Sequence, residues 1–179
     1  ERRMMGDLFD SLIARALAQP QGVVHRDYHS RNLMFRDSQA PGVIDFQDAV
    51  IGAQTYDLVS LLRDCYISWP EQQVLEWVEQ FRQQAESAGI RVSGSAAEYR
   101  QDFDYMGMQR HLKVLGIFSR LWLRDGKAGY LSDIPLTWHY LTSVMGLYPE
   151  FSAMHDWLQS VAGPLLSSSL MRARKDAGV

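Results

Sequence analysis

The sequence predicts a mainly α-helical chain with a small β-hairpin element, an α+β fold in which short strands carry a polar loop. Three observations lead there. Apolar residues recur at helical spacing through most of the 179 residues. Only "GVVH", "NLMF" and "GVIDF" read as short β-branched or apolar strands, and they are separated by turn chemistry in "RDSQAPG". Between the first two strands stands a dense polar run, "HRDYHSRN".

The elements follow in order. "RRMMGDLFDSLIARALAQ" places Met5, Leu8, Phe9, Leu12, Ile13, Ala16 and Leu17 on one helical stripe, and Pro20 ends it. After the three strands the pattern turns helical and is expected to stay so. Thr55 is placed to cap "YDLVSLLRDCYI", and Pro70 sits at the first turn of "PEQQVLEWVEQFRQQAESAG", with Gly89 as its stop. Ser95 and Glu98 have capping-box spacing and start a long helix that reaches Arg124. Two more helices are predicted, at 133–147 and 149–162, before a frayed tail, "SSSLMRARKDAGV". No repeat, linker or change of composition divides 1–179, which reads as a single domain.

Composition narrows the function classes. The chain is 46% hydrophobic and 22% charged, with a formal charge of −3 and no basic run, so charge does not suggest nucleic acid or an anionic membrane as a partner. The lone Cys65 has no internal disulfide partner. No apolar stretch approaches the roughly 20 residues a membrane span needs, and no signal-peptide core opens the chain. A soluble, cytoplasmic protein is expected.

Asp27 and Asn32 lie on one loop, and a hairpin joining "NLMF" to "GVIDF" would return Asp45 beside Asn32. Two hard oxygen donors at one edge suit Mg²⁺, which keeps waters and takes further ligands from substrate phosphates. Asp27, further out, is placed to accept a proton from a substrate hydroxyl. The same three residues would also serve as ordinary loop caps and turn formers. His25 and His29 around Asp27 raise a metal-hydrolase alternative, but no third His stands at ligand spacing and Asn32 would have no role in it. His25 reads as a packing residue beneath the loop. Gln47, Asp48, Arg63, Arg110, His111 and Lys113 are candidate substrate contacts, with a solvated helix face as the alternative for "QRHLK".

H-R-D, then Asn, then Asp at the end of a hairpin resembles the catalytic and metal loops of protein kinases. The departures are informative: Gln47 rather than Gly follows Phe46, no A-P-E follows, and His29 stands where protein kinases usually carry Lys. "HRDYHSRN", with the form H-x-D-x-H-x-x-N, "IDF" and "TYDL" resemble instead the aminoglycoside phosphotransferase and choline kinase-like family. With "MGMQRHLKVLGIFSRLWLRDGKAGYL" the likeness covers almost the whole chain, and it is nearest to that family's bacterial anomeric kinases of cell-wall amino sugars.

The resemblance implies the carboxy-terminal lobe of a protein-kinase-like fold. It implies Asp27 as the catalytic base, Asn32 and Asp45 as Mg²⁺ ligands, and His25 and Asp57 as braces of the loop. His29 joins the candidate substrate contacts. The implied substrates are ATP and an amino sugar, N-acetylmuramate or N-acetylglucosamine, in cell-wall recycling.

A kinase also needs a phosphate cradle, and neither G-x-G-x-x-G nor a V-A-I-K-like strand occurs here. The chain opens at Glu1 inside a helix, so the expectation is a lobe separated from an amino-terminal nucleotide-binding lobe. Such a lobe alone should be inactive and should expose an apolar patch near the hairpin, a surface that self-association would cover. Two other readings stay open: a kinase of another small alcohol (an aminoglycoside, choline or homoserine), or an inert substrate-binding module.

Overall fold

A computed structural model of the chain describes residues 1–37 and 39–178. Ser38, inside the expected "RDSQAPG" turn, and Val179, at the end of the tail, lie outside the described residues. The chain folds as two compact units, Leu12–Arg110 and Glu1–Ser11 with His111–Val179. Helix α1 (Arg2–Ala18) and helix α4 (Ala96–Asp125) contribute residues to both.

In the unit Leu12–Arg110, strand β1 (Gln21–Val24) pairs antiparallel with β4 (Val50–Ala53), Gln21 opposite Ala53 and Val24 opposite Val50. Strand β2 (Leu33–Met34) pairs antiparallel with β3 (Gly42–Val43). The expected hairpin is therefore present, but Phe35, Asp45 and Phe46 lie outside its strands. β4 corrects the expectation that only helices follow "GVIDF". "VIGA" has just two β-branched residues, too short a signal by itself, and it becomes a strand because β1 offers its edge. Gly52 belongs there for a steric reason: a Cβ at that position would fall 2.8 Å from Val24 Cγ2.

Helix α2 (Tyr56–Leu62) and helix α3 (Glu71–Ser87) pack with the first half of α4 around Val59, Val74 and Phe103, all fully buried. The ends follow helix chemistry. Ser95 and Glu98 form the expected capping box: Ser95 N–H donates to Glu98 Oε2 (2.8 Å) and Glu98 N–H to Ser95 Oγ (3.2 Å). Gly89 adopts φ +74° just past α3, where a side chain would be strained. Thr55 does not cap α2 as expected. It precedes the helix, but its hydroxyl donates to buried Gln19 Oε1 at 2.7 Å. The α1 stripe is only half used: Leu8 and Leu12 are buried, whereas Phe9, Ile13 and Leu17 are exposed.

The unit Glu1–Ser11 with His111–Val179 holds the second half of α4, then α5 (Ile134–Met145), α6 (Ser152–Trp157) and α7 (Gly163–Ala177). Ile134, Leu141 and Met145 form its buried centre, and the Phe118 and Tyr130 rings pack 5.1 Å apart. The tail expected to fray is instead α7. Pro164 does not stop the run, because a π-turn over Leu158–Ala162 absorbs its missing N–H. Leu166, Leu170 and Ala173 line a groove with Trp122 and Ile134, and Arg174 Nη2 donates to Leu131 O at 3.2 Å, which ties the helix down. No helix among the described residues is long and apolar enough to cross a membrane.

Candidate active site

The site is built where β1 ends. Asp57 stands in the first turn of α2, and its carboxylate reaches back across the sheet. It accepts the backbone N–H of His25 at Oδ2 (2.6 Å) and of Arg26 at Oδ1 (3.0 Å). Two charge-assisted bonds to successive amides fix the chain where it leaves β1. Arg26 consequently sits at φ +77°, a left-handed conformation that costs free energy for a residue with a Cβ and persists because its surroundings impose it. The Arg26 carbonyl in turn accepts from Arg110 Nη1 (3.4 Å).

This turn presents Asp27, half-buried, on the loop that follows. The loop is closed through the Asp27 carbonyl, which accepts His29 N–H (3.1 Å) and Asn32 Nδ2 (3.0 Å). The Asn32 side-chain nitrogen thus holds the loop, and its Oδ1 is left as a hard oxygen donor. Ile44 N–H donates to Asn32 O at 3.1 Å, extending the β2–β3 ladder by one pair and bringing Asp45 to the next position. His25 completes the frame: its Nε2 lies 2.9 Å from Ile44 O, so the buried imidazole joins the start of the loop to the end of β3. Asp45 is exposed at φ +66°, and its Oδ1 accepts Gln47 Nε2 at 2.6 Å.

His29 faces the Tyr66 ring edge-on at 5.6 Å. Burial pushes its imidazole below the ordinary histidine range; Arg110 adds to that, while Asp64 and Asp27 oppose it. A histidine in this state is neutral near pH 7 and offers one ring nitrogen as an acceptor. Its Nδ1 is buried with no hydrogen-bond partner.

The other residues singled out from the sequence are placed differently. Gln47 and Asp48 are exposed beside the site, and the Asp48 carbonyl accepts from Arg26 at 3.5 Å. Arg63 is not on a binding surface, a correction to its expected role. It is fully buried, with Nη1 donating to Asp104 at 2.7 Å, Nη2 to Glu71 at 2.6 Å, and its guanidinium over the Phe103 ring. Arg110 is buried beneath the loop, 5.6 Å over the Tyr56 ring. His111, almost wholly buried, belongs to the other unit and stacks on Tyr140 at 5.2 Å.

Asp64, Tyr66 and Arg31 escaped the sequence reading. Buried Asp64 accepts Ser30 Oγ (2.9 Å) and Tyr66 N–H (3.3 Å), anchoring the middle of the loop. The Arg31 guanidinium lies over the Tyr66 ring, 3.4 Å from its centre. "RDCY" offers no spacing signal, since Ser30 and Asp64 meet only through the fold.

Asn32 Oδ1 and the Asp45 carboxylate are hard oxygen donors. Among the described residues no group of three His, Cys, Asp or Glu is placed to hold an ion. One carboxylate, one amide oxygen and an open side are the donor set of Mg²⁺, completed by water and phosphate oxygens.

Comparison with known proteins identifies the family. The chain is 48% identical over 143 residues to an N-acetylmuramate/N-acetylglucosamine kinase of Pseudomonas putida, covering 80% of the chain and 42% of that relative. The protein of the same name from Neisseria meningitidis is 44% identical over 163 residues, 91% of the chain and 48% of the relative. That from Pseudomonas aeruginosa is 43% identical over 152 residues, 85% and 45% respectively. The chain thus spans less than half the length of these relatives. The profile described as the Phosphotransferase enzyme family matches residues 2–99, the stretch that holds every element of the loop, and with its mainly helical, kinase-like fold the chain belongs to that family.

Proposed function

We propose that the chain is the carboxy-terminal lobe of an ATP- and Mg²⁺-dependent kinase that phosphorylates the anomeric hydroxyl of N-acetylmuramate or N-acetylglucosamine, as in cell-wall recycling. The observation that carries this reading is the Asp57-braced loop. Asn32 Nδ2 donates to the Asp27 carbonyl, and Ile44 pairs with Asn32 one residue before Asp45, which supports grouping the three. The names of the similar proteins supply the sugar class.

In this mechanism Asp27 accepts a hydrogen bond from the anomeric hydroxyl and takes its proton. The sugar oxygen forms a bond to the γ-phosphorus, the bond from that phosphorus to the bridging oxygen breaks, and ADP leaves. Asn32 Oδ1 and the Asp45 carboxylate would hold Mg²⁺, which when bound offsets the phosphate charge. Neutral His29, whose ring faces Tyr66 beside this loop, remains a candidate sugar contact. Positioning carries most of the rate in such reactions, so the braced loop matters as much as the base.

Met34, Phe35, Val43, Ile44, Phe46 and Ile51 are exposed around the hairpin. An apolar surface of that kind favours a covering partner, and we assign it to an amino-terminal nucleotide-binding lobe; without one, self-association is its alternative fate. The lobe alone should therefore transfer no phosphate. The test measures ADP release from ATP with each sugar, using the complete protein beside this chain. Release by the complete protein only is expected; turnover by the chain alone at a matching rate, or choline or an aminoglycoside as the better acceptor, would overturn the assignment.

The metal reading makes its own prediction. Asp45→Ala should weaken Mg²⁺-nucleotide binding more than Asn32→Ala, because a carboxylate brings a full charge to a hard cation and an amide only a dipole. A Mg²⁺ titration of nucleotide affinity that gave the reverse order, or no effect at either position, would remove both residues from that role.

A further inference from the structure

We infer that Arg31 is the specificity-determining residue that reads the lactyl carboxylate of N-acetylmuramate and plays no part in turnover of N-acetylglucosamine. The inference rests on the sugar reading above and deepens it. The two sugars in the relatives' names differ in one chemical respect: the muramic acid carries a lactyl ether at O3, and hence a carboxylate, that the glucosamine lacks. A site accepting both needs a cation that helps the acid without being required by the neutral sugar. The ether stands on C3, two ring carbons from the anomeric carbon, so a cation that reads its carboxylate is sought near Asp27 and not on it.

Arg31 meets these conditions. It occupies the single 3-10 turn Ser30–Asn32, between the proposed base and the proposed metal ligand. Its guanidinium lies 3.4 Å over the Tyr66 ring, and it takes no hydrogen bond or ion pair among the described residues. Stacking on an aromatic face fixes the plane of a guanidinium while leaving its N–H edge open, the geometry that accepts a carboxylate in two parallel bonds. The platform is itself held: Tyr66 N–H donates to Asp64, and Asp64 also accepts from Ser30, the residue before Arg31.

The other cations nearby are engaged. Arg110 is buried, against the Arg26 carbonyl and the Tyr56 ring, and Arg26 Nη1 reaches the Asp48 carbonyl. The Asp64 carboxylate already accepts Ser30 Oγ and Tyr66 N–H, which offset part of its charge.

The test uses Arg31→Gln and Arg31→Lys in the complete protein, with both sugars assayed by ADP release and their binding measured by calorimetry. Arg31→Gln should lower kcat/KM for N-acetylmuramate by about tenfold to a hundredfold, as expected for losing a charge-assisted pair, and leave N-acetylglucosamine within about twofold. The loss should lie mainly in KM, and Arg31→Lys should restore part of it, because an ammonium keeps the charge without the flat two-bond geometry. Equal losses for both sugars would mean that Arg31 serves the nucleotide or the loop, and unchanged selectivity would mean that it serves neither; each overturns the inference. If the wild type turned over neither sugar, the proposed function would fall first, and calorimetry would still decide Arg31 by whether the acid binds more tightly than the neutral sugar in an Arg31-dependent way. Binding of neither sugar overturns both.

Discussion

Asp27→Asn in the complete protein is expected to lower the rate of phosphoryl transfer by about 10²–10⁴-fold, the usual contribution of a positioned general base, while nucleotide affinity stays close to that of the wild type. The substitution isolates the chemistry because of how the loop is built. The bonds that close it, from His29 N–H and Asn32 Nδ2, end on the Asp27 carbonyl, not on its carboxylate. An amide side chain of the same shape leaves both bonds in place, and leaves the Asp57 brace on His25 and Arg26 untouched. What it removes is the acceptor for the hydroxyl proton. Single-turnover ADP release and nucleotide titration separate the two quantities. A variant that kept wild-type turnover would take Asp27 out of the catalytic role, and one that lost nucleotide binding to the same degree would place it in the metal site instead.

The parts of this site that were legible in the sequence are those set by spacing along one short stretch. Asp27 and Asn32 share a loop, and turn chemistry between "NLMF" and "GVIDF" returns the chain so that Ile44 pairs with Asn32. Local rules also reach the long helices, where the Ser95–Glu98 capping box is seen as expected. Reading fails where a residue takes its role from something distant. β4 exists because β1 offers it an edge. The "SSSLMRARKDAGV" tail has weak propensity and becomes α7 through its apolar stripe and the Arg174–Leu131 bond. Arg63 and Arg110 were both read from the sequence as candidate substrate contacts beside apolar helical runs. The fold gives one to a buried carboxylate and the other to the back of the loop. Asp64 and Arg31 were overlooked because Tyr66, which links them, comes to the loop from beyond α2.

Arg63 and Asp104 bear the largest expected effect on stability. Both side chains are fully excluded from solvent, and the pair is closed at 2.7 Å with Glu71, half-exposed, on the other Nη. Burying two charges is costly, and their mutual attraction offsets that cost only while both are present. Asp104→Ala therefore does more than delete a contact. It removes the fully buried carboxylate from a guanidinium that lies over Phe103, and half-exposed Glu71 offsets only part of that charge. The expected loss is about 3–5 kcal/mol, the range found when one partner of a buried pair is removed, read as a lower urea midpoint for this chain. Loss of packing alone would explain some of that, so a second variant separates the causes. Arg63→Met with Asp104→Leu removes both charges and keeps most of the volume, while Glu71 remains hydrated at the surface. It should recover much of the lost stability, since a buried ion pair and a well-packed apolar pair often differ little. A double variant less stable than Asp104→Ala would show that the pair contributes more than charge balance, and that the guanidinium's stacking on Phe103 is what the core requires.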